Sequence, residues 1–206
     1  STFYVDTVEG LVDMASIKVY KLANTKPVET RSCKVLARMN AVGGTISSNL
    51  MSINGGPELL SDDFIFQKLK EAGHGSIRLW GFPMGAVSVS EGKYDFSTYD
   101  RFIDRIRDMG WDMMPVMGQM PDWLAIKEQS TVPKNYEAWG RVAGQFVKRY
   151  NVEKKYNLRY WEIWNEPEYF WTGTYKEMLK LTKIGSEMMK KSDPSIKVVV
   201  GAWASP

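Results

Sequence analysis

From about residue 60 the chain alternates short apolar runs with longer stretches in which apolar residues recur every three or four positions. Those two periods, taken in turn, predict strands and helices in alternation, the pattern of repeated βα units and a parallel sheet. Ser61 caps the first predicted helix, Asp62 and Asp63 suit the positive end of its dipole, and Phe64, Ile65, Leu69 and Ala72 form its apolar side before Gly73 stops it. A strand over 77–80 follows. Ser97 then caps a second helix, with Tyr99, Phe102, Ile103, Ile106 and Met109 on one face and Gly110 at its end, and 113–117 is the next strand. A third helix, near 134–150, aligns Tyr136, Trp139, Ala143, Phe146 and Tyr150 and leads to a strand over 158–164. A fourth, from about 174 to 191, aligns Tyr175, Met178, Leu179, Thr182 and Met189 until Asp193-Pro194 breaks it. The run 196–200 reads as a buried parallel strand.

Residues 1–35 do not keep this rhythm. Segments 2–5 and 17–20 are strand-like, so 1–35 is expected to be a β-rich N-terminal arm or the end of an accessory β domain. Residues 35–46, ending in Gly43-Gly44-Thr45, are expected to supply the first strand of the parallel sheet, which makes 36–206 the second region. The fold class is therefore α/β, a (β/α)8 barrel of which about the first five βα units are expected here. A complete barrel has eight strands in about 250 residues, so three further units are expected beyond this chain.

Composition narrows the partners. The 27 basic and 24 acidic residues nearly cancel and are interspersed, which leaves no stripe for nucleic acid or anionic lipid. No apolar run reaches the roughly 18 residues that cross a bilayer, and the first residues lack the basic-then-apolar order of a signal peptide. One cysteine, Cys33, and one histidine, His74, give no disulfide framework, no zinc-ligand set and no Ser-His-Asp triad, so chemistry without a cofactor or metal is expected. His74 lies in the turn before its strand, at the end of the sheet away from the carboxyl ends of the strands, and reads as structural. The 8 tryptophans suit stacking against a flat ligand as well as a bulky core.

The chemistry-bearing stretch is Trp161-Glu162-Ile163-Trp164-Asn165-Glu166-Pro167. It falls at the carboxyl end of a predicted strand, where a barrel gathers its catalytic residues. Cleaving a glycosidic bond needs one carboxylic acid to protonate the leaving oxygen and a second carboxylate on the sugar's other face. Glu166 suits the first role. The amide of Asn165 can bond the sugar 2-hydroxyl, a contact that strengthens in the transition state, and Pro167 locks the turn. Taken alone, a Glu at a strand end is more often a solvated rim residue. Trp123, Tyr169, Phe170 and Trp171 fall in loops after the third and fourth counted strands and are candidates for sugar-stacking platforms, with loop packing as the alternative. Glu162 and Trp164 share the side parity of Glu166. They read as a buried, hydrogen-bonded carboxylate and as interior packing.

That heptapeptide resembles the acid/base motif of clan A glycoside hydrolases. Tyr94-Asp95-Phe96-Ser97-Thr98-Tyr99-Asp100 and the stretch from Pro115 through Met120-Pro121-Asp122-Trp123-Leu124 resemble the segments flanking the second helix and third strand of family 39, the β-xylosidase and α-L-iduronidase group, and Gly43-Gly44-Thr45 fits its first strand. The resemblance runs from about residue 36 to the end. It implies a retaining enzyme on a (β/α)8 barrel with Glu166 as general acid/base and Asn165 and Arg78 in the substrate site. Arg78 matches the clan arginine that helps hold the nucleophile's carboxylate, and its alternative is a strand arginine paired with a structural carboxylate. Where the family usually has a His just after this arginine, Trp80 and Gly81 follow. The nucleophile, a Glu on the seventh strand, is expected outside this chain, and Glu91, Asp122 and Glu168 match no nucleophile motif. The implied partners are an oligo- or polysaccharide and the C-terminal barrel segment. A glycan substrate points to an extracellular or periplasmic location. The competing class is a non-catalytic carbohydrate-binding or structural barrel protein, against which the intact Asn165-Glu166 pair argues.

Overall fold

The computed structural model describes residues 6–8, 11–13, 36–38, 52–56, 62–80, 84–127 and 132–200. The chain divides into two units, Ser1–Ile46 and Ser47–Pro206. In the first, β1 (Asp6–Val8), β2 (Leu11–Asp13) and β3 (Leu36–Arg38) form an antiparallel sheet in that order. This corrects the expected strand over 35–46, because Leu36–Arg38 pairs with β2 and not with the parallel sheet. Gly43-Gly44-Thr45, Cys33 and the expected strands over 2–5 and 17–20 lie outside the described residues.

The second unit is built on five parallel strands. They are β4 (Ser52–Gly55), β5 (Ser76–Leu79), β8 (Asp112–Met117), β9 (Tyr160–Ile163) and β10 (Lys197–Val200), and each lies beside its predecessor in sequence. That sequential order is the one a (β/α)8 barrel requires. Helix α1 (Asp63–Glu71) joins β4 to β5. Between β5 and β8 come a short turn of helix, α2 (Met84–Val87), a hairpin of β6 (Ser88–Ser90) and β7 (Lys93–Tyr94), and helix α3 (Ser97–Asp108). Helix α4 (Tyr136–Val147) widens into a π-helical turn, Lys148–Glu153, before β9. After β9 come α5 (Pro167–Phe170) and α6 (Tyr175–Ser192).

Local chemistry explains the helix boundaries. Asp62 caps α1 through bonds from the N–H groups of Phe64 and Ile65, and Asn135 caps α4 through Ala138. Thr174 and Glu177 form a reciprocal capping box at the start of α6. Gly73 and Gly110 end their helices at φ +84° and +76°, as their positions predicted. At α3 the expected cap, Ser97, is itself the first helical residue, and Asp95 accepts from its N–H.

The apolar faces of two helices differ from expectation. On α1 the buried residue is Phe66, while Phe64 is 70% exposed. On α6 Leu181, Gly185 and Met189 are buried, whereas Tyr175 and Leu179 lie largely in solvent. In both cases apolar residues occur on more than one side of the helix, so periodicity alone does not choose the face. Strand β10 is less enclosed than expected, since it lies at the edge of the described sheet with Val200 exposed.

The strand register separates the sheet's two faces. Ile77, Leu79, Met113, Met117, Trp161 and Ile163 join the core beneath the helices, together with Trp139, Phe146, Ile103 and Ile106. Paired residues in a parallel sheet point the same way, and alternate residues share a face. Asn54 pairs with Arg78, Arg78 with Met114, and Val116 with Glu162, so Asn54, Arg78, Met114, Val116 and Glu162 all lie on the opposite face. In a barrel that is the interior face.

Candidate active site

Arg78 is the hub of the interior face. Its Nε donates to Glu162 Oε2 at 2.7 Å and its Nη2 to Glu162 Oε1 at 2.7 Å, a two-pronged grip. Nη2 also donates to Asn165 Oδ1 at 2.8 Å, and Nη1 to Asn54 Oδ1 at 3.0 Å. Glu162 is almost wholly enclosed, its side chain 2% exposed against 20% for Arg78. A carboxylate so enclosed is tolerable only when paired and hydrogen-bonded, and the guanidinium supplies both. The alternative reading of Arg78, a strand arginine on a structural carboxylate, therefore describes its fork, and the expected buried pairing of Glu162 is met by the same bonds. Of the five N–H bonds of Arg78, these contacts use four, so one Nη1–H has no partner among the described residues and could meet a further acceptor.

Arg78 also dictates how Asn165 faces. Guanidinium has donors only, so the amide oxygen of Asn165 must be the atom turned toward it, and the NH2 group must face away. Asn54 is oriented by the same logic. The sequence reading did not single out Asn54, because Ser52-Ile53-Asn54-Gly55 carries one strongly strand-forming residue. Its signal appears only in the register, where it stands directly beside Arg78.

Beyond Ile163 the backbone leaves strand geometry. Trp164 has φ +68° and Glu166 has φ +42°, ψ +63°, so two non-glycine residues, one of them bulky, sit in the left-handed region. Side-chain parity along β9 consequently does not extend to Glu166. Such conformations cost about 1–3 kcal/mol each and persist where the surroundings fix them. Here Trp164 N–H donates to Met117 O at 2.8 Å, and the Trp164 ring is buried with Trp171 edge-on at 5.1 Å. Pro167 disfavours right-handed geometry at Glu166 and opens α5, whose first N–H groups, from Tyr169 and Phe170, bond the Glu166 carbonyl. The Glu166 side chain is half-buried, and no hydrogen bond or ion pair engages its carboxylate among the described residues.

The aromatic candidates divide. Trp123 is half-buried and donates its indole N–H to the Ser88 carbonyl and hydroxyl, and Trp171 donates its own to Thr174 O. Both are anchored in their loops. Tyr169 and Phe170, which were expected in a loop, lie at the end of α5 and are 63% and 50% exposed. Trp80 is 38% exposed next to the Arg78 strand. His74 lies before β5 with its ring 6.4 Å from Trp111, away from Glu166 along the strand, as expected of a structural residue. Glu91 makes an exposed ion pair with Arg141. Among the described residues no group of three or more His, Cys, Asp or Glu could hold a metal ion, and no helix is long and apolar enough to cross a membrane.

The sequential parallel sheet has the strand order of part of a (β/α)8 barrel, and solved structures share the fold. Over 74% of this chain and 36% of the other, it resembles a monomeric beta-xylosidase from Caulobacter crescentus CB15, with a TM-score of 0.63 and 22% identity. A family 39 glycoside hydrolase from Bacteroides cellulosilyticus WH2 matches 93% of this chain and 38% of its own, with a TM-score of 0.60 and 20% identity. In sequence, a beta-xylosidase of Caldicellulosiruptor saccharolyticus is 32% identical over 161 residues, which are 65% of this chain and 32% of that protein. The chain thus spans about a third of the length of these relatives. The family model of glycosyl hydrolases family 39 matches residues 58–205, and the chain belongs to that family.

Proposed function

We propose that the protein to which this chain belongs is a retaining glycosidase that cleaves β-linked xylose or a related sugar from an oligo- or polysaccharide, with Glu166 as general acid/base. The observation that carries this reading is the turn at the end of β9, where Glu166 is held in left-handed geometry with its carboxylate unengaged by any described residue, next to Asn165, whose amide NH2 faces away from Arg78. The xylose preference rests on the beta-xylosidases that this chain resembles. Glu166 protonates the leaving oxygen while a second carboxylate attacks the anomeric carbon. Glu166 then takes a proton from the water that releases the sugar. The NH2 of Asn165 donates to the 2-hydroxyl as positive charge develops on the ring. Arg78 orients that amide. Phe170, half exposed, is a candidate platform for a sugar ring, and Trp123 and Trp171 contribute through the loops they anchor. An extracellular or periplasmic location fits such a substrate.

Glu166→Gln in the complete protein tests the reading. Hydrolysis of natural glycans, whose leaving groups need protonation, should fall steeply, and the first half-reaction of an activated aryl glycoside should be spared. The alkaline limb of the pH profile should disappear. A variant that cleaves natural glycans at the wild-type rate with the wild-type profile would remove Glu166 from the mechanism.

A further inference from the structure

The pairing of Glu162 with Arg78 does more than neutralise a charge. Nη2 of Arg78 has two N–H bonds at fixed angles in one plane. One is taken by Glu162 Oε1 and the other by Asn165 Oδ1, both within 2.8 Å. Because the guanidinium is rigid and planar, the direction in which Nη2 offers its second N–H follows from where Glu162 holds Nε and the first. Asn54 fixes the remaining arm from the neighbouring strand. Glu162 is enclosed on β9, one of the strands buried beneath α6, and is three residues before Asn165. Asn165 itself follows the strand, between two left-handed residues, and has no ladder hydrogen bond to hold it.

We infer that Glu162 is a positioning residue: through Arg78 it sets the orientation of the Asn165 amide and thereby the enzyme's demand for a sugar 2-hydroxyl. This rests on the glycosidase reading above. Glu162 touches no substrate. Its carboxylate accepts both prongs of the fork, and an amide in its place offers one acceptor and one donor. The donor end faces an Arg78 N–H, so the guanidinium rotates away and Asn165 loses its reference.

The experiment compares p-nitrophenyl β-xyloside with its 2-deoxy counterpart in the complete protein. Glu162→Gln should lower kcat/KM for the 2-hydroxy substrate on the order of tenfold or more, as expected for an angstrom-scale misplacement of a positioning contact. Turnover of the 2-deoxy substrate should stay within about twofold, since it makes no such contact. On an Asn165→Ala background, Glu162→Gln should cost nothing further, because the two residues act in series. Equal losses on both substrates, or additive losses in the double variant, would overturn the inference by reducing Glu162 to a structural role. Should Glu162→Gln fail to fold, Glu162→Asp carries the same test. It keeps the charge opposite Arg78 but draws the carboxylate back from the planar fork, and an equal loss on both substrates would again refute the proposal. Absence of any glycoside turnover by the wild type would be a different failure, that of the glycosidase reading itself.

Discussion

Arg78 and Arg149 each grip a carboxylate on another element, in settings that differ in kind. Arg78 and Glu162 face the barrel interior as one base and one acid, with two asparagine oxygens completing the shell. Arg149 belongs to the π-helical turn after α4 and reaches across to Asp100 on α3, at 2.5 Å. There Tyr150 also donates to Asp100, Lys154 bonds Asp104 and approaches Asp100 at 3.5 Å, and Tyr156 donates to Asp104. The outer cluster is redundant, for each acid has several donors and each base more than one acid. Among the described residues the inner cluster has no second acid. Redundancy suits the docking of two helices. A cluster with no spare partner fixes one amide in one direction, at the expense of tolerance to change.

The largest effect should come from breaking the inner pair. Glu162→Ala leaves the mostly enclosed guanidinium of Arg78 without its counter-charge, and losing one partner of such a pair costs about 3–5 kcal/mol. Urea denaturation of the complete protein would measure it, and a loss under about 1 kcal/mol, the level of a surface pair, would erase the contrast with the outer cluster. Next comes Gly185→Ala, where the added methyl runs into the Trp139 ring and Ile163 beneath α6. Overpacking of that sort costs about 1–3 kcal/mol, seen as a lower midpoint with unchanged slope.

The outer cluster should yield less, and with a pH signature. Burial pushes the Asp100 carboxyl up, but hydrogen bonds from Arg149 and Tyr150 and the nearby charge of Lys154 more than offset this and leave it below its ordinary value. A carboxyl lowered in the folded state contributes stability above the unfolded pKa of about 3.9, and that contribution is lost as pH falls through the folded value. Asp100→Asn should therefore melt below the wild type at neutral pH, with the gap closing on acidification below about pH 4. A gap that stays constant would mean that the charge of Asp100 is not what the cluster uses. Asp104→Asn should be the mildest change, about 1 kcal/mol or less, because its side chain is 40% exposed and Lys154 retains Asp100.

Much of this arrangement is legible in the residues. Four of the five parallel strands fall where alternation predicts them, because 77–80, 113–117, 158–164 and 196–200 are bounded by glycines or polar turns that give them clear limits. The first strand is not legible. Ser52–Gly55 is short and weakly apolar, and the more strand-like 35–46 drew the assignment that Leu36–Arg38 spends on the antiparallel sheet. At the candidate site, the motif picks out Asn165 and Glu166 for attention, and the place of Glu162 inside an apolar strand marks it as buried. The bonds that join Glu162, Arg78 and Asn54 depend on register across four strands, to which a local pattern is blind. The hairpin of β6 and β7 was missed too, its turn being marked only by Glu91-Gly92, with Gly92 at φ +73°.

Gly185 leaves a place on α6 where the Trp139 ring of α4 and the Ile163 side chain of β9 come up against bare backbone. Gly140 does the same for Ile184 and Met188 from the other side. Helices meshed without intervening side chains have little room to slide, and Ile163 ties that mesh to the strand three residues before Glu166. The aim of Glu166 is thus geared to the outer shell of helices: a displacement of α6 against α4 would be handed through Ile163 to the turn that carries Glu166, so distant substitutions along this seam are in a position to redirect that carboxylate without touching it.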